Sequence, residues 1–306
     1  MQTIHSESIS STSVSASARR SRARRWDVRI RRAVVSLCRY LALIVIGYLL
    51  MMPFLWMLST SVKEEWEIFR VPPTLLPVGI RLQNYPEALA NFPFFLALKN
   101  TLIITISAVV GQLLSASMAA FARLRFRFRE PLLIVVLATL MIPGHVTLVP
   151  TYMIFRSLGW LDTFLPLIAP SWLGGGAFNI FLLRQFFLTI SRELDDAARI
   201  DGCSSFRLYW NVILPLSTPA LATVGIFGFL ANWNDFFFPL IYLTDPAKHT
   251  LAIALQFWRT PTNTTGSRNW SHLMAVAVVV MLPCLILFFS AQRAFIQGIV
   301  ITGVKG

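Results

Sequence analysis

Side chains that could hold a metal ion or act as a nucleophile are few in this sequence and lie far apart. The histidines are His5, His145, His249 and His272. The cysteines are Cys38, Cys203 and Cys284. No histidine has a second ligand at helical spacing and no C-x-x-C pair occurs, so we predict no metal site and no disulfide framework. We interpret the cysteines as reduced, small apolar side chains.

A phosphate-binding loop is also missing from the sequence. Such a loop needs Gly-Lys-Ser/Thr, because backbone amides and the lysine cradle the phosphates while the hydroxyl holds magnesium. None of the lysines stands in that context; they are Lys63, Lys99, Lys248 and Lys305. We therefore predict that this chain has no catalytic residue and no cofactor, and that it is not an ATPase.

One polar segment, residues 191–202, has the pattern of a capped short helix. Ser191 can cap its amide end, and Glu193, Asp195 and Asp196 place negative charge in the first turn, where the helix dipole favours it. Gly202 suits a left-handed residue that ends the helix. The spacing therefore predicts a short independent helix between two apolar stretches.

The same segment also has a face of small side chains. Leu194, Ala197 and Ala198 fall on one side of the predicted helix, where another protein could approach closely. An aromatic stretch follows, ending before Pro215. The residues alone leave two hypotheses open: a docking surface for another protein, and an amphipathic hairpin lying on the membrane surface.

The elements that must position this segment are apolar. The chain has 306 residues, of which 56% are hydrophobic and 13% charged, and its mean hydropathy is +0.64. Stretches of about 20 apolar residues recur, each long enough to cross a ~30 Å hydrocarbon core. They cover residues 37–58, 100–121, 131–155, 164–183, 214–243 and 272–291. We predict an all-α integral membrane protein with six transmembrane helices, with a kink near Pro143.

The ends of the chain differ from this core in composition. Residues 1–34 are rich in Ser and Arg and lack apolar periodicity, which predicts a disordered cytoplasmic tail. An organelle transit peptide is the alternative. Residues 35–306 form the predicted membrane domain.

The basic residues predict the orientation. Most of the 27 Lys and Arg precede the first span, follow the second and fourth spans, or lie in the last tail. By the positive-inside rule these segments and both termini are cytoplasmic, in a plasma membrane. The net charge of +13 could also suit nucleic acid, but the basic residues cluster between apolar spans, which argues against a nucleic-acid-binding domain.

Polar residues near the end of the fifth span form a second candidate site. Asp235 is the one acidic residue within an apolar span, and Asn232 and Asn234 precede it. Because ionisable groups are costly in a membrane, lining of a translocation path is one hypothesis and capping of a helix end is the other. In the fourth span, Gly174, Gly175 and Gly176 predict close helix packing or local unwinding.

Several stretches resemble a known family. Asp196-Ala197-Ala198, three residues and Gly202, with Asp201 before it, resemble the Glu-Ala-Ala coupling loop of binding-protein-dependent ABC importers, with Asp in place of Glu. The similarity extends to 181–187 and 214–221. Asn232-Trp233-Asn234-Asp235 resembles the carbohydrate-importer branch, and residues 298–306 resemble the tail of the smaller permease subunit of maltose-type and glycerol-phosphate-type transporters.

The resemblance implies a permease subunit that imports a sugar by ATP-driven alternating access; glycerol phosphate or a polyol is the alternative substrate. A coupling loop at about 184–213 would dock an ATPase through Glu193, Asp196, Ala197, Ala198, Asp201 and Gly202. Gly303, Lys305 and Gly306 would lie in a tail directed toward that ATPase. The implied partners are a second permease in a heterodimer, two ATPase subunits that bind ATP and Mg²⁺, an extracytoplasmic solute-binding protein and the lipid bilayer.

Two other classes have similar composition. A secondary transporter or channel has no need for an acidic-Ala-Ala loop that docks an ATPase. A membrane-embedded enzyme needs convergent acid, base or nucleophilic groups, which the scattered His, Asp and Glu do not supply.

Overall fold

The computed structural model describes residues 7–125, 129–259 and 269–303, and within these ranges it contains helices and no strand. Helices satisfy their own backbone hydrogen bonds, which apolar surroundings require. The predicted all-α fold class is confirmed.

Two compact units divide the chain after Ser59. In the described residues the first unit consists of α1 up to Ser59. Helix α1 is Glu7–Ser61, and its apolar part Val34–Ser61 is long enough to cross a membrane. The composition predicted disorder through residue 34, whereas the backbone is helical from Glu7. The arginines between positions 19 and 32 favour a helix there, whereas the Ser-rich residues before them have no such preference. Residues 1–6 lie outside the described residues.

The second unit is built around α4. Its helices are α2 (Glu65–Ile68), α3 (Asn84–Asn91), α4 (Phe94–Arg125), α5 (Arg129–Leu140), α6 (Leu148–Ser157), α7 (Leu165–Gly174), α8 (Ala177–Phe187), α9 (Arg192–Ile200), α10 (Ser205–Leu208), α11 (Leu214–Leu216), α12 (Thr218–Trp233), α13 (Phe237–Tyr242), α14 (Leu251–Arg259) and α15 (Trp270–Gly303). A π-helical turn, Tyr209–Ile213, joins α10 to α11, and a 3₁₀ turn, Pro246–Lys248, precedes α14.

Two buried apolar clusters lie toward the two ends of α4. The cluster near the start of α4 includes Phe94 and Ala97 with Trp233 of α12 and Val276 of α15. The cluster near its end includes Ala116 and Ala120 with residues of α8, α9, the π-turn and α12. Small residues at these positions allow neighbouring helices to approach α4 closely.

The glycine triplet between α7 and α8 provides both packing and a break. Gly175 has φ of 62°, and a Cβ there would lie 2.5 Å from the backbone nitrogen of Ala116. Ser115 Oγ donates to the carbonyl oxygen of Ser171 at 2.8 Å across the same contact. The helix is therefore interrupted where the backbone meets α4, so both sequence hypotheses for the glycines hold.

The count of six spans is not confirmed. In the described residues, Val34–Ser61, Phe94–Ala122, Leu165–Phe187 and Trp270–Gln292 are long and apolar enough to cross a membrane. A fifth span results if Ser205–Leu216 and Thr218–Trp233, bent by 77°, are counted as one. The stretch predicted at 131–155 is instead divided between α5 and α6, of 12 and 10 residues. The break contains Pro143, which has no amide hydrogen to continue the helix.

Candidate functional site

Helix α9 has the local geometry that its sequence predicts. Ser191 Oγ accepts a hydrogen bond from the Glu193 amide at 3.3 Å, and Glu193 and Asp195 lie in the first turn. Gly202 follows the helix with φ of 76°, and its amide donates to the Arg199 carbonyl oxygen at 3.0 Å. The cap and the left-handed stop are confirmed, whereas the docking role of these residues stays a prediction.

The small side chains of α9 do not form one exposed face. Ala198 is 8% exposed and belongs to the buried cluster that contains Leu183 and Phe187 of α8. Ala197 is exposed, and so is Leu194. The expectation that Leu194, Ala197 and Ala198 share one contact face is therefore wrong. Adjacent helical residues point about 100° apart, and here that rotation turns Ala198 inward.

The surface that remains exposed is mixed in character. Glu193, Asp196 and Asp201 are exposed and acidic. Ile200 is 86% exposed. Phe206 and Trp210, which follow α9 in the chain, are also exposed and apolar, with their rings stacked 6.4 Å apart. We call Leu194, Ala197, Ile200, Phe206 and Trp210 the α9 surface.

A buried contact connects this region to α4. The Tyr209 hydroxyl lies 2.7 Å from Ser117 Oγ, and both residues are buried. Ser117 donates its own hydrogen to the Leu113 carbonyl oxygen at 2.6 Å, so the tyrosine is the donor of the pair. The Tyr209 ring also packs 5.3 Å from that of Phe121. The sequence gives no signal for the Tyr209–Ser117 pair, which is separated by 92 residues.

The chain then bends sharply into α12. Pro219 has no amide hydrogen, so the Pro215 carbonyl oxygen lacks its helical partner and accepts a hydrogen bond from Thr218 Oγ1 at 2.6 Å instead. Ser217 Oγ donates to the Ile213 carbonyl oxygen at 2.7 Å on the other side of the bend. The bend is thus hydrogen-bonded rather than open, and it joins α11 directly to α12. Residues 184–187, placed by the sequence in the predicted loop, are part of α8.

The second candidate site is a cavity beside the end of α12. Its volume is about 310 Å³, and Asn232 and Asp235 are among its lining residues. Asp235 follows the last residue of α12, Trp233, and its Oδ1 accepts a hydrogen bond from the Phe238 amide at 3.3 Å. The carboxylate therefore lines a cavity and also caps the turn that begins α13.

Asn234 does not belong to the cavity. Its side chain is exposed, and its Nδ2 donates to the Leu230 carbonyl oxygen at 2.8 Å. The structure thus brings together two of the three residues predicted to line a path. The role of all three in translocation stays a prediction.

The predicted C-terminal contact is described only in part. Gly303 is the last residue of α15. Lys305 and Gly306 lie outside the described residues.

An ion pair that sequence reasoning missed lies near the start of α4. Lys248 Nζ donates to Asp162 Oδ2 at 2.8 Å, while Asp162 Oδ1 accepts from the amides of Thr244 and Asp245, each at 3.0 Å. The hydrogen bond from Lys248, with those two amides, holds the pKa of Asp162 well below its usual range. The same bond raises the pKa of Lys248.

The ion pair joins the segment before α7 to the 3₁₀ turn before α14, and that turn is also hydrogen-bonded to α4. Asn100 Nδ2 donates to the carbonyl oxygens of Ala247 and His249 at 2.9 and 3.0 Å. Burial lowers the pKa of His249. We call Asn100, Asp162, Asp245 and Lys248 the loop clasp.

A known family matches the part of the chain that contains both candidate sites. Residues 111–301, which include α9 and Asp235, match the family model described as binding-protein-dependent transport system inner membrane component. The chain is 33% identical to an sn-glycerol-3-phosphate transport system permease protein of Rhizobium meliloti, over 89% of this chain and 98% of that protein. It is 32% identical to a diacetylchitobiose uptake system permease protein of Streptomyces coelicolor, over 84% of this chain and 92% of that protein.

A solved structure has the same fold. It is a chain of a bacterial ABC transporter involved in the import of the acidic polysaccharide alginate, with a TM-score of 0.77 and 24% sequence identity. The match covers 85% of this chain and 96% of that chain.

Proposed function

Because the chain belongs to the family of binding-protein-dependent transport system inner membrane components, we propose that it is the transmembrane permease subunit of an ABC importer that carries a sugar across the plasma membrane. The observation that carries this proposal is α9, a capped helix between membrane-spanning segments with an exposed face. ATP hydrolysis then belongs to separate ATPase subunits, which bind ATP and Mg²⁺.

In this proposal the ATPase docks on the α9 surface and on the exposed acidic residues Glu193, Asp196 and Asp201. The residues of the α9 surface are apolar, and the exposed acidic residues lie in or directly after the same helix; protein interfaces commonly combine apolar and charged groups in this way. Ala198 has a different role, because its buried side chain packs in the cluster that contains residues of α8 and so holds α9 against this chain. Gly202 sets the direction in which the chain leaves the helix.

Movement of α9 would be transmitted to α4 through two contacts and to α12 through the chain itself. Ala198 is packed against the cluster at the end of α4, and the Tyr209–Ser117 hydrogen bond joins the following turn to the same helix. The bend at Ser217 leads directly into α12, at whose far end Asp235 lines the cavity. A displacement of α9 by ATP-driven closure would therefore act on both α4 and α12 as packed elements.

The substrate class is proposed from the relatives. One relative is named for diacetylchitobiose uptake and another for sn-glycerol-3-phosphate transport. We propose a sugar, with glycerol phosphate or a polyol as the alternative, and with Asn232 and Asp235 on the path. The partners proposed are a second permease, two ATPase subunits and an extracytoplasmic solute-binding protein; both termini and α9 face the cytoplasm.

A matched pair of substitutions tests the docking role of α9. Ala197→Leu enlarges an exposed residue, so the permease should keep its thermal stability but lose most of its copurification with the ATPase subunits. Ala198→Leu overpacks a buried position, which typically costs about 1–3 kcal/mol, and should lower thermal stability. Equal ATPase binding by wild type and Ala197→Leu would contradict the docking role.

Transport itself is tested in proteoliposomes that contain the complete complex and its binding protein. Uptake should require ATP on the side of the vesicle membrane where the ATPase subunits are bound. The isolated chain should hydrolyse no ATP. Uptake that continues after removal of the ATPase subunits would refute the proposal.

A further inference from the structure

The cavity beside Asp235 has an unbalanced set of charges. Its polar lining includes Thr147, Thr151, Asn232, Asp235 and Tyr242. No Lys, Arg or His is among its lining residues, which all lie in the part of the chain that the structure describes. The carboxylate of Asp235 therefore has no cationic partner in the wall of this cavity.

Two basic residues adjoin lining residues along the chain, His145 after Gly144 and Arg156 after Phe155, and neither is part of the lining; Arg156 is exposed. His145 follows the lining residue Gly144, but its ring packs edge-on against Phe237 at 5.1 Å and is not part of the lining. Asp235 is held in place by the amide of Phe238, which donates to its Oδ1 at 3.3 Å. The position of the negative group is thus set by the backbone at the start of α13.

Aromatic rings form the apolar part of the wall. Phe155 and Phe238 both line the cavity and both contact Tyr242, at ring-centroid distances of 5.3 and 6.3 Å. Rings of this kind pack against the C–H faces of a sugar, while Thr, Asn and Asp side chains bond to its hydroxyls. The volume of about 310 Å³ is at the lower end of the range for small-molecule sites.

We propose that this cavity admits uncharged polyhydroxylated solutes and disfavours anions, and that Asp235 is the residue that sets this preference. An anion entering the cavity would lose water without gaining a cation and would be repelled by the carboxylate. A solute hydroxyl group can instead donate a hydrogen bond to the Asp235 carboxylate or to the side-chain oxygen Oδ1 of Asn232. The inference rests on the proposed importer function, and it favours a sugar or polyol over glycerol phosphate.

Charged thiol reagents measure the preference directly. A cysteine is placed at Thr151 in a background with alanine at Cys38, Cys203 and Cys284, and the chain is purified with its partner permease and ATPase subunits. The probes are the cationic trimethylammonium-ethyl and the anionic sulfonatoethyl methanethiosulfonates. The quantity measured is the rate of modification by the cationic reagent divided by that of the anionic reagent. This ratio is compared between proteins with and without Asp235→Asn, so that differences in the intrinsic reactivity of the two reagents cancel. Glu64→Gln, which removes an exposed carboxylate outside the cavity, is the control.

The ratio should favour the cationic reagent, and it should fall by about tenfold in Asp235→Asn while Glu64→Gln leaves it unchanged. A ratio that Asp235→Asn does not alter would overturn the charge preference even if uptake by the complex is intact. Failure of both reagents at Thr151→Cys and at a second position, Thr147→Cys, while exposed Val78→Cys reacts, would overturn the cavity as a solute route. Loss of ATP-dependent uptake in the unmodified complex would instead refute the proposed function, and it is measured separately.

Discussion

The Tyr209 hydroxyl donates to Ser117 Oγ at 2.7 Å, which ties the turn after α9 to the centre of the second unit. Both side chains are buried, so a hydroxyl that loses its partner is not solvated by water. Removal of the serine hydroxyl and removal of the tyrosine hydroxyl therefore have different costs. Ser117→Ala leaves a buried phenol without a partner, which costs about 1–3 kcal/mol. Tyr209→Phe leaves Ser117 still bonded to Leu113 and costs about 1 kcal/mol.

We therefore expect Ser117→Ala to lower the thermal unfolding midpoint of the purified permease more than Tyr209→Phe does. The double variant should be less destabilised than the sum of the two, because it no longer contains an unpaired phenol. Ser290→Ala, which removes an exposed hydroxyl bonded only within its own helix, is the control. Strict additivity would show that the contact is not formed.

Gly202 allows a test of backbone direction that leaves the spans untouched. Its φ is 76°, and a Cβ at this position would have no atom within 4 Å, so the constraint is conformational and not one of space. Gly202→Val should strain the turn by about 1–2 kcal/mol and abolish uptake, while the protein still inserts into the membrane.

Gly202→Asn is the matched control, because Asn adopts the left-handed conformation readily and should retain most of the uptake. Uptake and substrate-stimulated ATPase activity are measured in vesicles with equal amounts of incorporated protein. Normal values of both in Gly202→Val would contradict a coupling role for this turn.

The loop clasp predicts a specific pH dependence. The pKa of Asp162 is lowered by Lys248 and the backbone amides, so its stabilisation is present above the ordinary value of 3.8 and is lost as the pH falls below that value. The pKa of Lys248 is raised, so its contribution is present below 10.5 and is lost only above that value. Between the ordinary pKa of His249, 6.5, and 10.5 the protection of the Thr244 and Asp245 amides from hydrogen exchange, corrected for intrinsic rates, should be constant. Below 6.5 it should decrease, because burial lowers the pKa of His249 and protonation of this residue then opposes folding.

Two substitutions separate charge from backbone conformation at Asp162, whose φ is 57°. Asp162→Asn keeps a side-chain oxygen and tolerates the left-handed conformation, whereas Asp162→Ala has neither property. Exchange protection of the two amides should therefore decrease in the order wild type, Asn, Ala. Equal protection in all three proteins would rule out the clasp.

Membrane orientation is tested by single cysteines in a background free of other cysteines. Val78 and Ile200 are 66% and 86% exposed and belong to segments predicted on opposite sides. In intact cells that express the permease without its ATPase subunits, an impermeant reagent should label Val78→Cys and not Ile200→Cys. The opposite pattern would invert the proposed topology.

Local features of this protein follow from its sequence alone. The cap at Ser191 and the left-handed stop at Gly202 depend on neighbouring residues, and both are present as predicted. Apolar stretches predict membrane-spanning helices because a helix must be about 20 residues long to cross a bilayer. Pro143 predicted a kink, because proline has no amide hydrogen, but the structure has a complete break between α5 and α6.

Tertiary packing decided the rest. Ala197 and Ala198 are identical in type, and only the position of α8 makes one exposed and the other buried. Asn232 and Asn234 are likewise identical in type, but only Asn232 lines the cavity. Tyr209–Ser117 and Asp162–Lys248 are separated by 92 and 86 residues, so no local pattern predicts them. Helix caps and proline breaks depend on residues a few positions apart, whereas side-chain burial and long-range hydrogen bonds depend on which distant segment packs alongside.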